Sequence, residues 1–472
     1  MMNNKNTFSL YIHWPFCRKK CSYCDLNSHV RDSIDENVWI DGLIKEMHYW
    51  HKFTAHYKME TIFFGGGTPS LIQPKNIEKI IKTAKTLWKP YTNSKNNHLY
   101  IGSNNLYKGR EIDNLYKNDE IEITLETNPS SLEANSLREF KNAGINRISF
   151  GVQSLDDDIL HLLNRTHNAE EALKFIQSSL DIFNNVSVDI MYGLPTHTLQ
   201  TLQSTLDNLL KLNIHHISIY ELTLQKNTLL NHQIENKELF LPCDEQIANE
   251  YELILKSCKK HEYNRYEISS FSLPGYESRH NQNYWHSKQF IGIGPGAHGR
   301  IFIENENDLY SIMQTSTNIN ESTSVNKNVS SNQSADFTII PQSELNKSKN
   351  SYNSYSNEIT SKKSHYYSIE NSKIPEKWLE KVQNKHNGLK VFENIDIDTQ
   401  IQEFIMMGLR VTDGFSILDF ESRFQVKFST ITSQDKINKL LDHNYIEINQ
   451  HNIKLTYSGI IRHGAICKYL IF

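Results

Sequence analysis

Three of the six cysteines, Cys17, Cys21 and Cys24, form a C-x3-C-x2-C run directly after an apolar stretch, Phe8 to Ile12. Thiolates are soft ligands, and three of them so spaced can hold three corners of a cubic 4Fe-4S cluster while leaving the fourth iron without a protein donor. That open iron suits an exchangeable ligand with an amine and a carboxylate, such as the methionyl part of S-adenosylmethionine. The competing chemistry is a zinc ion held by the three thiolates and either His13 or His29, although zinc sites more often pair their cysteines as two C-x2-C knuckles. Cys243, Cys258 and Cys467 are scattered and read as ordinary reduced thiols.

Other stretches carry chemistry that an apolar core would not ask for. Gly65-Gly66-Gly67-Thr68-Pro69-Ser70 follows a strand-like run, where glycines allow positive φ and close approach of backbone to a ligand. No Gly-Lys-Ser follows, so it is not a phosphate loop of the Walker type. Glu126, Gln153, Arg165 and Asp189 lie in or near the ends of apolar runs. Carboxylates suit ribose hydroxyls or a sulfonium, and an arginine suits a carboxylate; taken singly, each is equally a cap or an ion-pair residue. In His280-Asn281-Gln282-Asn283-Tyr284-Trp285 a histidine beside two rings can ligate haem iron while the rings pack on the porphyrin. A turn with Trp285 in the core is the plainer reading. The run from Gly292 to Gly299 reads as tight backbone packing or as a second glycine-rich contact.

The pattern Tyr11-x-His13-x-Pro15-Phe16-Cys17 with its two later cysteines resembles the radical S-adenosylmethionine superfamily, and the flanking residues resemble its coproporphyrinogen III oxidase-like branch. Within that branch the chain resembles the HemW-type haem chaperones. Leu26 stands where the oxidases carry a fourth cysteine, only a short segment precedes Cys17, and His280 to Trp285 is similar to the chaperones' His-Asn-x-x-Tyr-Trp motif. The resemblance implies Cys17, Cys21 and Cys24 as cluster ligands and Gly66, Gly67 and Thr68 beside the amino group of S-adenosylmethionine. It further implies Glu126, Gln153, Arg165 and Asp189 around that ligand, Tyr11 and Tyr23 bordering the cluster, Glu221 as a weaker carry-over, and His280, Asn281, Tyr284 and Trp285 for haem. No residue is assigned to catalysis. The implied function is a haem chaperone that holds a 4Fe-4S cluster, S-adenosylmethionine and haem and passes haem to an acceptor protein, with homodimerisation compatible. The alternative is an oxygen-independent coproporphyrinogen III oxidase, in which cleavage of S-adenosylmethionine gives a 5'-deoxyadenosyl radical.

The elements that must position these residues follow from periodicity. Six apolar, β-branched runs alternate with helix-like segments: Phe8 to His13, Thr61 to Phe64, Ile121 to Glu126, Arg147 to Val152, Val186 to Met191 and His216 to Leu222. The intervening helices are placed at Asp35 to Trp50, Asn76 to Leu87, Leu137 to Ala143, Ala169 to Phe183 and Thr201 to Lys211. Such a pattern predicts an α/β fold, an incomplete parallel (β/α)6 TIM-like barrel whose strands aim their carboxyl ends at one active face. A barrel core over 1–235 and an extension with the His-Asn motif over 236–302 are expected, with a helix at Asp244 to His261 and a strand at Tyr266 to Phe271. Tyr91 to Glu120 reads as a polar insertion, and the Ser/Asn-rich 303–365 as a disordered one. Over 366–472, helices at Ile374 to Val382, Asp398 to Val411, Ile417 to Phe424 and Gln434 to His443 precede a hairpin, Tyr445 to Asn449 with Asn452 to Tyr457. This predicts a mainly helical, winged-helix-like C-terminal domain, without the dense basic patch a nucleic-acid partner would need.

A formal net charge of -4 over 472 residues gives no global attraction to nucleic acid or anionic lipid. No apolar run reaches the ~18 residues needed to span a bilayer, and the first residues have neither a signal core nor an Arg-rich presequence. A cytoplasmic location is therefore expected.

Overall fold

Along the first strand, β1 (Thr7–Trp14), side chains alternate between two environments. Phe8, Leu10, Ile12 and Trp14 are buried in the apolar core shared with the outer helices, while Ser9, Tyr11 and His13 alternate with them on the opposite face. The same alternation in β2 (Lys58–Gly66), β3 (Glu122–Thr127), β4 (Arg147–Gln153), β5 (Val186–Tyr192) and β6 (His216–Glu221) makes an apolar outside and a polar inside. The computed structural model describes residues 7–89, 121–129, 136–316, 365–449 and 451–471. The insertion Tyr91 to Glu120 and most of the Ser/Asn-rich segment lie outside the described residues.

All six strands are parallel and adjacent in chain order, as the alternation of strands and helices predicts. Helices Glu36–Thr54, Pro74–Leu87, Leu137–Asn142, Ala169–Leu180 and Leu199–Leu210 connect them. Local chemistry sets their starts. Asn168 and Glu171 close a capping box, and Thr198 does the same with Thr201.

The sheet continues beyond both ends of the six. On one side β8 (Ser270–Ser272) adds antiparallel to β6, and β7 (Asn264–Arg265) adds antiparallel to β8. On the other, β9 (Gln289–Ile293) lies parallel to β1, followed by antiparallel β10 (His298–Phe302), β11 (Tyr366–Asn371) and β12 (Leu389–Asn394). The full order is β12-β11-β10-β9-β1-β2-β3-β4-β5-β6-β8-β7, and its two ends do not pair, so the barrel is open.

Two expectations need correction. The single strand over Tyr266 to Phe271 is split, because Glu267 bridges to Val411 and pairs with Arg410 at 2.9 Å, drawing 266–269 toward the C-terminal region. The segment 303–365 opens with a helix, Glu306–Ser316, whose Ile312 is buried and whose Thr315 hydroxyl pairs with Tyr49 at 2.6 Å. Leu309 and Ile312, three residues apart, give it an apolar face despite the polar composition.

The C-terminal region carries helices Ile397–Gly408, Ile417–Phe424, Phe428–Ile431 and Gln434–Asp442 around a cluster of Phe404, Phe415, Phe420, Phe424 and Phe428. Ile446–Asn449 and Asn452–Leu455 form the expected hairpin, which Phe415–Ser416 extends to three strands. Helices Tyr457–Ile460 and His463–Ile471 follow it and were not foreseen.

Candidate functional site

The cysteines occupy the loop that leaves β1. Its two ends are joined, Phe16 beside His29 and Cys17 beside Val30, in a short parallel pairing. The glycine run at the end of β2 seats the start of this loop. Gly67 N–H donates to the Trp14 carbonyl at 2.7 Å and Thr68 N–H to the Phe16 carbonyl at 2.9 Å. A Cβ on Gly67 would lie 2.7 Å from that carbonyl oxygen, and Gly66 combines a φ of +107° with a virtual Cβ 2.7 Å from the His13 ring. The three glycines thus bring two chains together as well as leaving room for a ligand.

Cys17, Cys21 and Cys24 are half-buried free thiols. Burial, with repulsion from Cys21 adding to it, pushes Cys24 up against a lowering hydrogen bond from the Leu26 backbone, and burial does the same to Cys17 against a lowering hydrogen bond from Thr68. Thr68 Oγ1 donates to Cys17 Sγ at 3.4 Å, and Arg165 Nη1 to Cys21 Sγ at 3.1 Å. The loop's middle is tied to the turn after β4: Ser22 Oγ donates to the Leu162 carbonyl and Asn164 Nδ2 to that of Lys20.

Arg165 is the hub here. Its Nη2 donates to Asn128 Oδ1 at 2.7 Å and to the Gly151 carbonyl, while its buried Nε has no hydrogen-bond partner among the described residues. An unsatisfied guanidinium N–H beside a thiol is the kind of donor a ligand carboxylate completes. Gln153 lies close by: a Cβ on Gly151 would meet both Gln153 Nε2 and Arg165 Nη2. A bulge between Gly151 and Gln153 breaks the β4–β5 register, and Gln153 takes a φ of +71° there, re-aiming its side chain. Tyr23 borders the same group, its hydroxyl interacting with Cys21 and the Arg165 guanidinium.

The zinc alternative fares poorly. His13 is buried, its Nε2 pairs with the Asn27 carbonyl at 2.9 Å and its Nδ1 with the Tyr11 hydroxyl at 3.2 Å. His29 Nε2 pairs with Asn27 Oδ1 at 3.2 Å. Among the described residues no three His, Cys, Asp or Glu side chains converge on a single-ion position. Three half-buried thiols on one loop, with both histidine rings otherwise engaged, are a donor set compatible with a cubic cluster, which takes its cysteine sulfurs at separate corners.

Inside the barrel lies a cavity of about 230 Å³ lined by Tyr11, Phe63, Glu126, Arg147, Ser149, Asp189, Ser218, Tyr220, His280, Asn281 and Tyr284. Two carboxylates share it. Glu126 accepts from Gly66 N–H at 3.2 Å and Asp189 from Ser149 at 3.2 Å. Burial, then the neighbouring Asp189, pushes Glu126 up to about 8; burial also raises Asp189. A cation placed between them would reverse both shifts. Glu221, by contrast, is exposed, accepts from Tyr192 at 3.2 Å and does not line the cavity.

The His-Asn-x-x-Tyr-Trp stretch is a helix, Arg279–Trp285, set against the barrel interior. Glu122 accepts the first backbone N–H groups, from Arg279 at 3.2 Å and His280 at 3.0 Å. Both ring nitrogens of His280 are engaged, Nδ1 with Thr61 at 2.6 Å and Nε2 with Tyr284 at 2.7 Å. The ring stacks on Phe63 and, by burial, is held down at about 3. Asn283 anchors the helix to Ser9 at 2.8 Å. Trp285 turns away and lies under the Arg410 guanidinium, 4.5 Å from its centroid. The four haem candidates therefore do not share one face. The cavity they border in part is smaller than the ~300–1,000 Å³ that encloses even a drug-sized ligand.

Asn128, Arg147, Ser149 and Ser218 belong to this site and were missed. The signal was present for Arg147, Ser149 and Ser218, polar residues at the inward parity of otherwise apolar strands; Asn128 lies just past the end of β3.

Comparison with known proteins bears on this arrangement. The family model described as the radical SAM superfamily matches residues 11–209, and that of the HemN C-terminal domain matches 395–461. The chain is 37% identical over 294 residues to the zebrafish (Danio rerio) protein named radical S-adenosyl methionine domain-containing protein 1, mitochondrial, covering 62% of this chain and 60% of that one. It is 34% identical over 294 residues to the heme chaperone HemW of Bacillus subtilis, covering 62% and 71%. The solved structure of Escherichia coli coproporphyrinogen III oxidase, HemN, superposes with a TM-score of 0.70 at 17% identity, over 99% of this chain and 91% of that one.

Proposed function

The chain belongs to the radical SAM superfamily, in the branch of the coproporphyrinogen oxidases and haem chaperones, and on that premise we propose that it is a haem chaperone. It would bind a 4Fe-4S cluster, S-adenosylmethionine and haem, and pass the haem to an acceptor protein. The observation that carries this reading is the 34% identity with a heme chaperone over 71% of that protein's length, in a chain with Leu26 where an oxidase would carry a further cysteine.

Cys17, Cys21 and Cys24 would hold the cluster, which when bound supplies one electron and one iron open to amino and carboxylate groups. Thr68 and Arg165 already donate to two of the three sulfurs, an arrangement that orients the thiolates and offsets their charge. Arg165 Nε and Asn128 would receive the methionyl carboxylate, and bare backbone at Gly66 and Gly67 the amino group. Glu126 and Asp189 would face the sulfonium, whose charge stabilises their ionised forms. For His280 to reach haem iron, its Nε2 must give up Tyr284. Among the described residues no helix is long and apolar enough to cross a membrane.

A second reading is porphyrinogen oxidation, in which the small polar cavity would shield a reactive intermediate from water while the macrocycle itself stayed outside it. Anaerobically reconstituted protein separates the two. The chaperone reading expects about four irons per chain, a Soret band that survives gel filtration, and transfer of that haem to an apo-acceptor. Conversion of coproporphyrinogen to protoporphyrinogen, with 5'-deoxyadenosine formed alongside, would overturn it.

A further inference from the structure

Neither the glycine-rich run around Gly294 nor the residue three past the last cysteine has a role in the reading above. The structure joins them. Asn27 spends both amide N–H donors on backbone carbonyls far away in sequence, Pro295 and Lys373, each at 2.9 Å. Its amide oxygen takes the His29 ring, and its own carbonyl pairs with His13 Nε2 at 2.9 Å. The seat is shaped for it: a Cβ on Gly296 would overlap the Asn27 amide nitrogen.

The seat is itself braced. Buried Glu46, on helix Glu36–Thr54, accepts from Gly294 N–H at 2.8 Å, Gly388 N–H at 2.7 Å and Trp378 Nε1 at 3.0 Å. Gly296 N–H reaches the Ser372 carbonyl at 3.0 Å. The entry to the cysteine loop is fixed by the glycine run after β2, and its middle by the turn after β4. Its exit, already paired to Phe16 and Cys17 through His29 and Val30 and tied by Arg31 to Glu376, is joined to the β9–β11 edge of the sheet through Asn27.

We infer that Asn27 is a positioning residue that latches the exit of the cysteine loop onto the Pro295–Gly296 turn and Lys373, and so sets where Cys24 stands relative to Cys17 and Cys21. The inference rests on the cluster assignment for its consequence but not for its geometry. It makes the segment after the Ser/Asn-rich insertion part of the apparatus that holds the cluster.

The test uses the full chain. In metal-free protein, alkylation of Cys24 is followed against exposed Cys243 and buried Cys258. With two neutral hydrogen bonds at stake, Asn27→Ala raises Cys24 alkylation roughly tenfold or more relative to Cys243. Gly296→Ala, which keeps Asn27 but fills its seat, gives the same signature, with Cys258 unmoved in both. In iron-loaded protein the same variants release iron faster to a ferrous chelator, and the electron paramagnetic resonance spectrum of the reduced cluster broadens. Unchanged Cys24 alkylation and iron release in both variants overturns the latch. Equal acceleration at Cys258 also overturns it, because that marks general loosening. A wild-type chain that takes up no iron refutes the cluster assignment instead, while the alkylation arm still decides the latch.

Discussion

Replacing Glu126 by Gln should stabilise the cofactor-free protein at alkaline pH and leave it nearly unchanged in acid. Glu126 lies deep in the barrel, with its pKa pushed from the ordinary 4.5 to about 8 by burial first and by Asp189 second. The native state therefore holds a proton that the unfolded chain releases between those values. Wherever the native state binds more protons, stability falls as pH rises. The Glu126 contribution is complete below pH 4.5 and has been lost once pH passes about 8. At about 1.4 kcal/mol per unit the shift amounts to at most roughly 5 kcal/mol. The carboxylate borders the cavity, and water there makes this an upper bound. Asp189 is raised too, so it adds a loss of the same sign. Gln keeps an acceptor for Gly66 N–H but cannot ionise, and its neutrality lets Asp189 ionise more easily. Urea denaturation of both proteins at pH 5, 7 and 9 provides the assay. The expected gain in the variant is near zero at pH 5 and several kcal/mol at pH 9. A gain that does not change with pH, or one that shrinks, refutes the reasoning. The same logic makes binding of a sulfonium ligand tighten with pH in the wild type and flatten in the variant.

Cys21→Ala removes the sulfur to which Arg165 donates and one of the three proposed cluster ligands, so iron content after anaerobic reconstitution should fall from about four per chain to near none. Gly66→Ala forces a side chain into a φ of +107° and against the His13 ring, and should cost about 3 kcal/mol or more in urea denaturation. Tyr284→Phe frees His280 Nε2. If that nitrogen is the haem ligand, haem titration should show tighter binding in this variant and loss of the Soret shift in His280→Ala; equal affinities in all three proteins would exclude His280.

Much of the barrel was legible because its strands obey two rules at once. β-branched runs of the right length alternate with capped helices, and residues such as Asn168 and Thr198 announce their helices locally. The edge strands were harder. β9 is only five residues long and runs straight into a glycine-rich turn, and half of β11 and β12 is polar, so neither length nor period marks them. They are strands because β1 has an open side to be paired. Pairing over such sequence distances leaves no local trace.

The sequence by itself determined the cysteine spacing, the parity that puts Glu126 and Asp189 inside, and the glycines that let the β2 turn meet the loop. These are properties of chemistry and period, which neighbours in the chain decide. Only the tertiary structure decided how the hydrogen bonds are shared out. It gave both His280 nitrogens to Thr61 and Tyr284, turned Trp285 to Arg410, left Arg165 Nε without a partner among the described residues, and brought Asn27 to Pro295 and Lys373. A buried polar group takes whichever partner the fold brings within reach, and for His280 with Thr61 and Asn27 with Pro295 and Lys373 that partner lies more than 200 residues away along the chain.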